Sequence, residues 1–295
     1  MKELFGYLAY RGPATVIGML PGRLVPPLGR GVGRLAFPWA GDRRRMAERH
    51  MRRVLGPQAD ARRAAREAFA NYGRYWAEVF WIGPRRMGEV GKHVTAEGLE
   101  HVREARQAGR GLILALPHVG NWEVAGPVAA REGLELTAVA ESLPNPRVTE
   151  WFVGLRARLG IEVLLTRKRG DVARLLVERL ERGGAVALLS DRDISGGGVR
   201  VRFFGEETTL PAGPAALAER TGAAVLPVAV YFREGRGHHA VVRPALLLPD
   251  GGSKEERVRS GMQMVAEALE QLIRAAPMQW HLVQPNWPSD RADPK

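Results

Sequence analysis

The residues best suited to chemistry in this chain are His118 and Glu123, which lie in the stretch Pro-His-Val-Gly-Asn-Trp-Glu. An imidazole can take a proton from a hydroxyl, and a nearby carboxylate can fix its tautomer and stabilise the imidazolium. That is the chemistry of acyl transfer to an alcohol. Residues five apart on one continuous helix point about 140° away from each other, so the pair can cooperate only across a turn.

The sequence around His118 predicts such a turn. Residues 112–116 form an apolar run of strand length, Gly120 permits a tight turn, and Asn121 is a good N-cap for a helix over residues 122–131. The alternative is a surface histidine beside a glutamate that favours the positive end of a helix dipole.

A second group of charged residues, Asp191-Arg192-Asp193, follows a predicted strand at 185–189. Ligands in parallel sheets bind at the carboxyl ends of strands, where His118 also falls. Asp191 or Asp193 could therefore orient the histidine, and Arg192 could hold a phosphate or pair with an acid. The alternative is a charged hairpin that leads into the next strand.

Further polar residues complete the candidate site. Arg156 and Arg158 lie near the end of a predicted helix, where they could clamp a phosphate or simply complement the helix dipole. Together with Arg192, Asn121 and Trp122 they form the predicted substrate-binding set. His238 and His239 lie beside glycines in a predicted hairpin, and we expect them to face solvent.

Absent residue types narrow the chemistry. The chain has no cysteine, which excludes disulfides, thiolate catalysis and cysteine-ligated zinc. It also lacks a Gly-x-Ser-x-Gly elbow, a phosphate-loop consensus and a His-Glu-x-x-His motif. We therefore predict no metal site and no permanently bound cofactor.

The charge of the chain favours anionic partners. Its 295 residues carry a formal net charge of +12, with a pI near 10.8, which suits nucleic acid, an anionic membrane or a phosphorylated substrate. No nucleic-acid-binding signature is present, and the arginines alternate with alanine and glutamate rather than with aromatic residues. A nucleic-acid partner is therefore not expected.

Residues 1–40 are apolar, aromatic and basic, with Glu3 as their only acid. This composition is typical of amphipathic helices that lie on a membrane, although helices packed on a core are the alternative. No stretch of 18 residues is free of charged residues, so a membrane-spanning helix is not predicted. We divide the chain into residues 1–40, a membrane-associating segment, and residues 41–295, a single α/β domain.

The rest of the chain alternates between strand and helix patterns. We predict strands at 136–140, 161–165, 185–189, 199–204, 225–231 and 240–247, separated by helices. The fold class is therefore α/β, with a central, mainly parallel (mixed) sheet flanked by helices on both faces. An aromatic stripe at Phe69, Tyr72 and Trp76 is expected to form core or a lipid-facing groove.

Several blocks together resemble the bacterial lysophospholipid acyltransferase superfamily, in the branch of the late lipid A and phosphatidylinositol mannoside acyltransferases. The His-x4-acid motif is met by His118 and Glu123. Other matching blocks are Arg156-Ala-Arg-Leu-Gly, Asp191-Arg-Asp, Phe203-Phe-Gly and the tail Trp280-His-Leu-Val-Gln-Pro-Asn-Trp. Ala212-Gly-Pro-Ala-Ala-Leu and this tail are most similar to the mannoside enzymes.

This resemblance implies transfer of a palmitoyl-type chain from acyl-CoA, or from acyl carrier protein, to a mannose hydroxyl of a mannosylated phosphatidylinositol. It implies His118 as the base, with Asp191 and Glu123 competing to be its partner, and direct attack without an acyl-enzyme. It also implies a peripheral location at the cytoplasmic face of the plasma or inner membrane. The alternatives are a lipid A precursor as acceptor, a thioesterase or other hydrolase, and a basic membrane- or nucleic-acid-binding protein without activity.

Overall fold

The computed structural model describes residues 2–82, 86–166, 169–194 and 196–291. Its centre is a seven-stranded sheet with the strand order β1-β9-β8-β2-β5-β3-β4, and β6 and β7 form a separate antiparallel hairpin. The strands are β1 (Val94–Glu97), β2 (Leu112–Leu116), β3 (Leu136–Ala140), β4 (Ile161–Leu165), β5 (Ala185–Leu189), β6 (Val199–Phe203), β7 (Glu206–Leu210), β8 (Ala224–Phe232) and β9 (His238–Val242).

The sheet is mainly parallel, as the alternating pattern predicts. Strands β8, β2, β5, β3 and β4 run parallel, whereas β9 pairs antiparallel with β8 and carries β1 on its outer edge. The helices in the described residues are α1 (Lys2–Gly18), α2 (Val25–Ala36), α3 (Gly41–Leu55), α4 (Ala61–Trp81), α5 (Met87–Gly91), α6 (Leu99–Gln107), α7 (Ala125–Arg131), α8 (Pro146–Arg158), α9 (Arg169–Glu181), α10 (Gly213–Thr221), α11 (Lys254–Ala275) and α12 (Pro288–Arg291).

Both faces of the sheet are covered, which explains why the central strands are apolar at every position. In β2, Ile113 and Ala115 join one hydrophobic cluster, with α3, α10 and α11. Leu112, Leu114 and Leu116 join the other cluster, with α6, α7 and α8. Because successive side chains point to opposite faces, a strand buried on both sides needs a continuous apolar run.

The N-terminal segment is helical, and α2 packs closely on α4. Gly33 lies so near the α4 backbone that a Cβ there would approach the Phe69 carbonyl oxygen to 2.1 Å, so glycine permits the contact. Large apolar side chains of the segment remain exposed, including Val32, Leu35 and Trp39. Within the described ranges, no helix combines the length and the apolar character needed to cross a membrane.

Some predicted elements are wrong in their bounds. The predicted helix over 122–131 is a 3-10 turn, Trp122–Val124, followed by α7, and the Asn121 side chain makes no capping bond. The predicted strand 240–247 ends at Val242 because Pro244, close behind, cannot donate to a ladder. Strands β1 and β7, which are short and partly polar, were not predicted.

Candidate active site

His118 lies in the turn after β2, and this turn is fixed on both sides by backbone contacts. Gly120 donates its N–H to the Gln279 carbonyl oxygen (2.9 Å), and Asn121 donates to Val230 in β8 (2.9 Å). Gly120 has φ +60°, and a Cβ there would lie 2.0 Å from the Val230 oxygen. Glycine is therefore required for the chain to pass so close to β8.

The acid beside His118 is Asp191, which follows β5, the parallel neighbour of β2. His118 Nδ1 lies 2.6 Å from Asp191 Oδ1, and the His118 backbone N–H donates to Oδ2 (3.0 Å). Asp191 is fully buried, whereas the imidazole is 24% exposed. Nε2 of His118 has no hydrogen-bond partner among the described residues, so it can accept a proton from a bound molecule.

The ionised form of Asp191 is favoured despite its burial. Desolvation by burial opposes the charge, but the positive charge and hydrogen bonds of His118 and the indole N–H of Trp280 outweigh it, so the pKa is lowered. An ionised carboxylate can stabilise an imidazolium at Nδ1 while Nε2 acts as a base. The geometry therefore suits general-base chemistry on a hydroxyl.

Glu123 makes no hydrogen bond to His118; it is buried and forms an ion pair with the partly buried Arg156 of α8. Arg156 donates from Nη2 to Oε1 (2.7 Å) and from Nε to Oε2 (3.0 Å). The negative charge of Glu123 raises the pKa of Arg156, and Tyr75 donates a longer bond to Oε1 (3.4 Å). The sequence left both Asp191 and Glu123 as possible partners of His118, and in the structure it is Asp191 that contacts the imidazole.

Sequence comparison identifies the family of the chain. The profile of the bacterial lipid A biosynthesis acyltransferases matches residues 3–289. This chain belongs to that family. It is 39% identical to the phosphatidylinositol mannoside acyltransferase of Mycolicibacterium smegmatis over 83% of this chain and 80% of the relative. For the enzyme of that name from Mycobacterium tuberculosis H37Rv, identity is 39% over 83% of this chain and 77% of the relative.

A more distant relative is the lipid A biosynthesis acyltransferase of Haemophilus influenzae, 26% identical over 62% of this chain and 55% of the relative. The chain is thus an acyltransferase of the lipid A and phosphatidylinositol mannoside type.

The other predicted site residues of this acyltransferase are dispersed. Trp122 meets the His118 ring edge-on, with centroids 5.2 Å apart, and stacks on Tyr75 at 4.3 Å. Asn121 is buried, and its amide donates to Glu78 (2.8 Å). Arg158 is exposed at the end of α8, whereas the partly buried guanidinium of Arg156 is bound to Glu123, so the two arginines do not form one clamp.

Arg192, which directly follows Asp191, is partly exposed near the pair formed by His118 and Asp191, called the dyad below. Asp193 does not contact His118; its carboxylate accepts bonds from Gly198 N (2.8 Å) and Thr209 Oγ1 (2.9 Å). Asp193 therefore links Gly198 and Thr209 at the base of the β6–β7 hairpin.

A buried polar network beneath the turn was not predicted from the sequence. Glu78 accepts bonds from Arg74 Nε (2.7 Å), Asn121 Nδ2 (2.8 Å) and His238 Nε2 (2.8 Å). Burial opposes the ionised form of Glu78, but His238 and Arg74 overcome it and lower its pKa to about 2. The expectation that His238 faces solvent is wrong, because its strand packs it against Glu78. The signal available in the sequence was the i, i+4 spacing of Arg74 and Glu78 in the otherwise aromatic and apolar second half of α4.

The tail after α11 holds the histidine turn from the other side. His281 donates its backbone N–H to the His118 carbonyl (2.9 Å), and its ring Nε2 bonds the Gly120 carbonyl (2.8 Å). Trp280 donates from its indole to Asp191 Oδ2 (2.7 Å), and Asn286 donates to the Asp191 carbonyl (3.0 Å). These roles of the tail were not predicted.

A small cavity of about 40 Å³, with room for only a few water molecules, lies between strands β2, β3 and β5 and helices α7 and α8. Its wall is apolar apart from the Glu123–Arg156 pair. The lining residues are Leu116, Trp122, Glu123, Ala125, Leu136, Ala138, Val139, Arg156, Ile161, Ala187 and Leu189. Because Trp122 also contacts His118, the cavity adjoins the dyad.

Proposed function

We propose that the protein transfers a palmitoyl-type chain from acyl-CoA to a mannose hydroxyl of a phosphatidylinositol mannoside, at the cytoplasmic face of the membrane. The observation that carries this proposal is the His118–Asp191 pair. His118 Nδ1 lies 2.6 Å from Asp191 Oδ1, and the imidazole ring is partly exposed. The similarity to three mannoside acyltransferases over 83% of the chain supports the acceptor.

In the proposed reaction, His118 Nε2 takes the proton of the acceptor hydroxyl. The hydroxyl oxygen attacks the thioester carbonyl carbon, a new C–O bond forms, and the C–S bond breaks. The CoA thiolate leaves and takes the proton from the imidazolium, which returns His118 to its starting state. Asp191 stabilises the imidazolium throughout, and no covalent acyl-enzyme is formed.

The acyl chain of the donor is proposed to lie along the apolar side chains beside the dyad, where the cavity of about 40 Å³ must widen to admit it. Burial of each methylene contributes about 0.8 kcal/mol, so a chain of this class gains ample binding energy from an apolar wall. Of the groove residues expected from the sequence, Tyr72 and Trp76 are partly exposed, whereas Phe69 packs in the core against Phe37 (5.3 Å). Phe69 therefore takes no part in the proposed groove.

The N-terminal helices are the proposed membrane contact. Large apolar side chains on α2 and the turn after it are exposed, and α3, which follows, carries a run of arginines at Arg43, Arg44 and Arg45. An apolar face next to a basic helix suits an anionic lipid surface. This arrangement would bring a lipid acceptor and a lipid-like donor to the same surface.

The test is transfer of labelled palmitate from palmitoyl-CoA by the full-length protein, with a phosphatidylinositol mannoside and a lipid A precursor offered in parallel. We expect label on the mannolipid and its loss in His118→Ala. His101→Ala is a matched control, because its side chain is equally exposed (24%) and also lies beside a carboxylate, Glu104.

Each other outcome overturns a defined part of the proposal. Label on the lipid A precursor alone would overturn the acceptor, and release of free palmitate without any acceptor would indicate a hydrolase. Transfer that survives His118→Ala would overturn the proposed base.

A further inference from the structure

Both oxygens of the Asp191 carboxylate are occupied, and one of its donors lies outside the proposed catalytic pair. Oδ1 is hydrogen-bonded to the imidazole of His118. Oδ2 accepts hydrogen bonds from the His118 backbone N–H (3.0 Å) and from the indole N–H of Trp280 (2.7 Å). A carboxylate can rotate about its Cβ–Cγ bond, so the donors at Oδ2 determine where Oδ1 points. Trp280 is the only side chain that binds Oδ2 among the described residues.

Trp280 is itself held rigidly. The side chain is 1% exposed, and its ring lies 5.5 Å from that of His50 and 5.8 Å from that of Phe204. Its backbone forms a bridge with Val119, and the neighbouring His281 N–H donates to the His118 carbonyl. The indole N–H is thus fixed relative to the turn that carries His118.

Phe204 contacts Trp280 from the β6–β7 hairpin. It is the only non-glycine residue with positive φ (+50°) among the described residues, and with Gly205 (φ +81°) it forms the two-residue turn of that hairpin, a turn type that needs positive φ at both positions. The turn places the Phe204 ring against Trp280.

We propose that Trp280 is a positioning residue for the acyl transfer: its indole N–H fixes the Asp191 carboxylate so that Oδ1 orients the His118 ring. This inference rests on the proposed function of the His118–Asp191 pair. Trp280 acts through Asp191 and does not touch the reacting atoms.

The same aromatic cluster contains a matched control. Trp287 is also 1% exposed and lies 6.4 Å from Trp280, but its indole donates to the Phe203 backbone carbonyl (3.0 Å). Trp280→Phe and Trp287→Phe therefore remove the same group from the same buried environment. Only the first change removes a bond to Asp191.

The experiment compares kcat and KM for acyl transfer in the two full-length variants, alongside their midpoints of urea unfolding. Loss of one hydrogen bond to a charged acceptor should lower kcat about 10- to 100-fold in Trp280→Phe, with KM nearly unchanged. Trp287→Phe should keep kcat within about threefold even if it is destabilised to a similar extent. Equal kcat values for the two variants would overturn the inference.

Two further measurements separate positioning from general structural damage. Because Trp280 acts through Asp191, adding Trp280→Phe to Asp191→Asn should cause little further loss of kcat, whereas multiplicative losses would contradict the inference. The ¹⁵N resonances of the His118 ring should change in Trp280→Phe and stay the same in Trp287→Phe.

The NMR measurement tests Trp280 even if acyl-CoA is not the donor. A wild-type protein without any transfer would overturn the proposed function, and unchanged His118 resonances in Trp280→Phe would overturn the positioning role.

Discussion

Glu123 is bound by Arg156 and not by His118, although the His-x4-acid spacing places Glu123 close to His118 in the sequence. The guanidinium donates bonds of 2.7 and 3.0 Å to the two carboxylate oxygens. The partner of the histidine is Asp191, 73 residues further along the chain. The motif acid thus ties α8 to the turn, while a second strand end supplies the carboxylate that faces the imidazole. The two acids should therefore respond differently to mutation.

Asp191→Asn should lower kcat for acyl transfer about 10³- to 10⁴-fold, as for the equivalent carboxylate of a Ser-His-Asp triad. The amide cannot stabilise the imidazolium and can favour the wrong tautomer of His118. KM should change little, because Asp191 is buried and does not reach the substrate. Steady-state kinetics on the folded variant provide the measurement, and a kcat within tenfold of the wild type would contradict the pairing.

Glu123→Gln should mainly lower stability, because it leaves the partly buried Arg156 without its counter-charge. Breaking a fully buried pair costs about 3–5 kcal/mol, so the loss here should lie below that range, and the double variant Glu123→Gln/Arg156→Gln should regain part of it. Urea unfolding of the single and double variants measures this coupling. If the double variant folds but is as inactive as Asp191→Asn, Glu123 has a chemical role that its contacts do not indicate.

The sequence was sufficient to predict the mainly parallel sheet and to place Asp191, at the end of one strand, near His118, at the end of another. Alternating elements predicted a parallel sheet, and parallel strands bring their carboxyl ends together, so Asp191 could be expected near His118. Spacing along the chain could not show that Arg156 crosses from α8 to take Glu123. Nor could it show that Glu78 of α4 draws His238 into the interior, because both contacts depend on how helices pack on the sheet.

The contribution of Glu78 to stability can be measured against an exposed pair of the same spacing. Arg74 and Glu78 are an i, i+4 pair with side chains 6% exposed, whereas the equivalent pair Arg174 and Glu178 is 63% and 38% exposed. Glu78→Gln should cost about 3–5 kcal/mol of unfolding free energy because Arg74 loses its buried counter-charge. Glu178→Gln should cost about 0.5 kcal/mol or less. Similar losses for the two variants would show that the network beneath the turn is not a major source of stability.

His281 should make stability depend on pH. Burial lowers its pKa from 6.5 to about 3, so between these values the unfolded chain binds a proton that the folded protein does not. The contribution of His281 is therefore present above pH 6.5 and is lost as pH falls toward 3, by up to about 1.4 kcal/mol per pH unit. His281→Gln keeps an N–H for the Gly120 carbonyl but does not titrate. Its unfolding free energy should fall less steeply than that of the wild type between pH 6 and 4, and parallel slopes would contradict a buried neutral imidazole.

The exposed apolar side chains of the N-terminal segment should determine membrane binding. Leu35 and Trp39 are 69% and 81% exposed, and a lipid surface would cover apolar area that water now contacts. Burial of a large apolar side chain contributes about 1.5–3 kcal/mol, so each change to serine should weaken binding to anionic vesicles by about tenfold or more.

Leu247, which is 87% exposed outside this segment, provides the control as Leu247→Ser. Vesicle co-sedimentation at fixed salt measures the effect. Equal binding of Leu35→Ser, Trp39→Ser and Leu247→Ser would exclude the N-terminal helices as the contact, because only a surface that meets the lipid can lose affinity when its apolar area is removed.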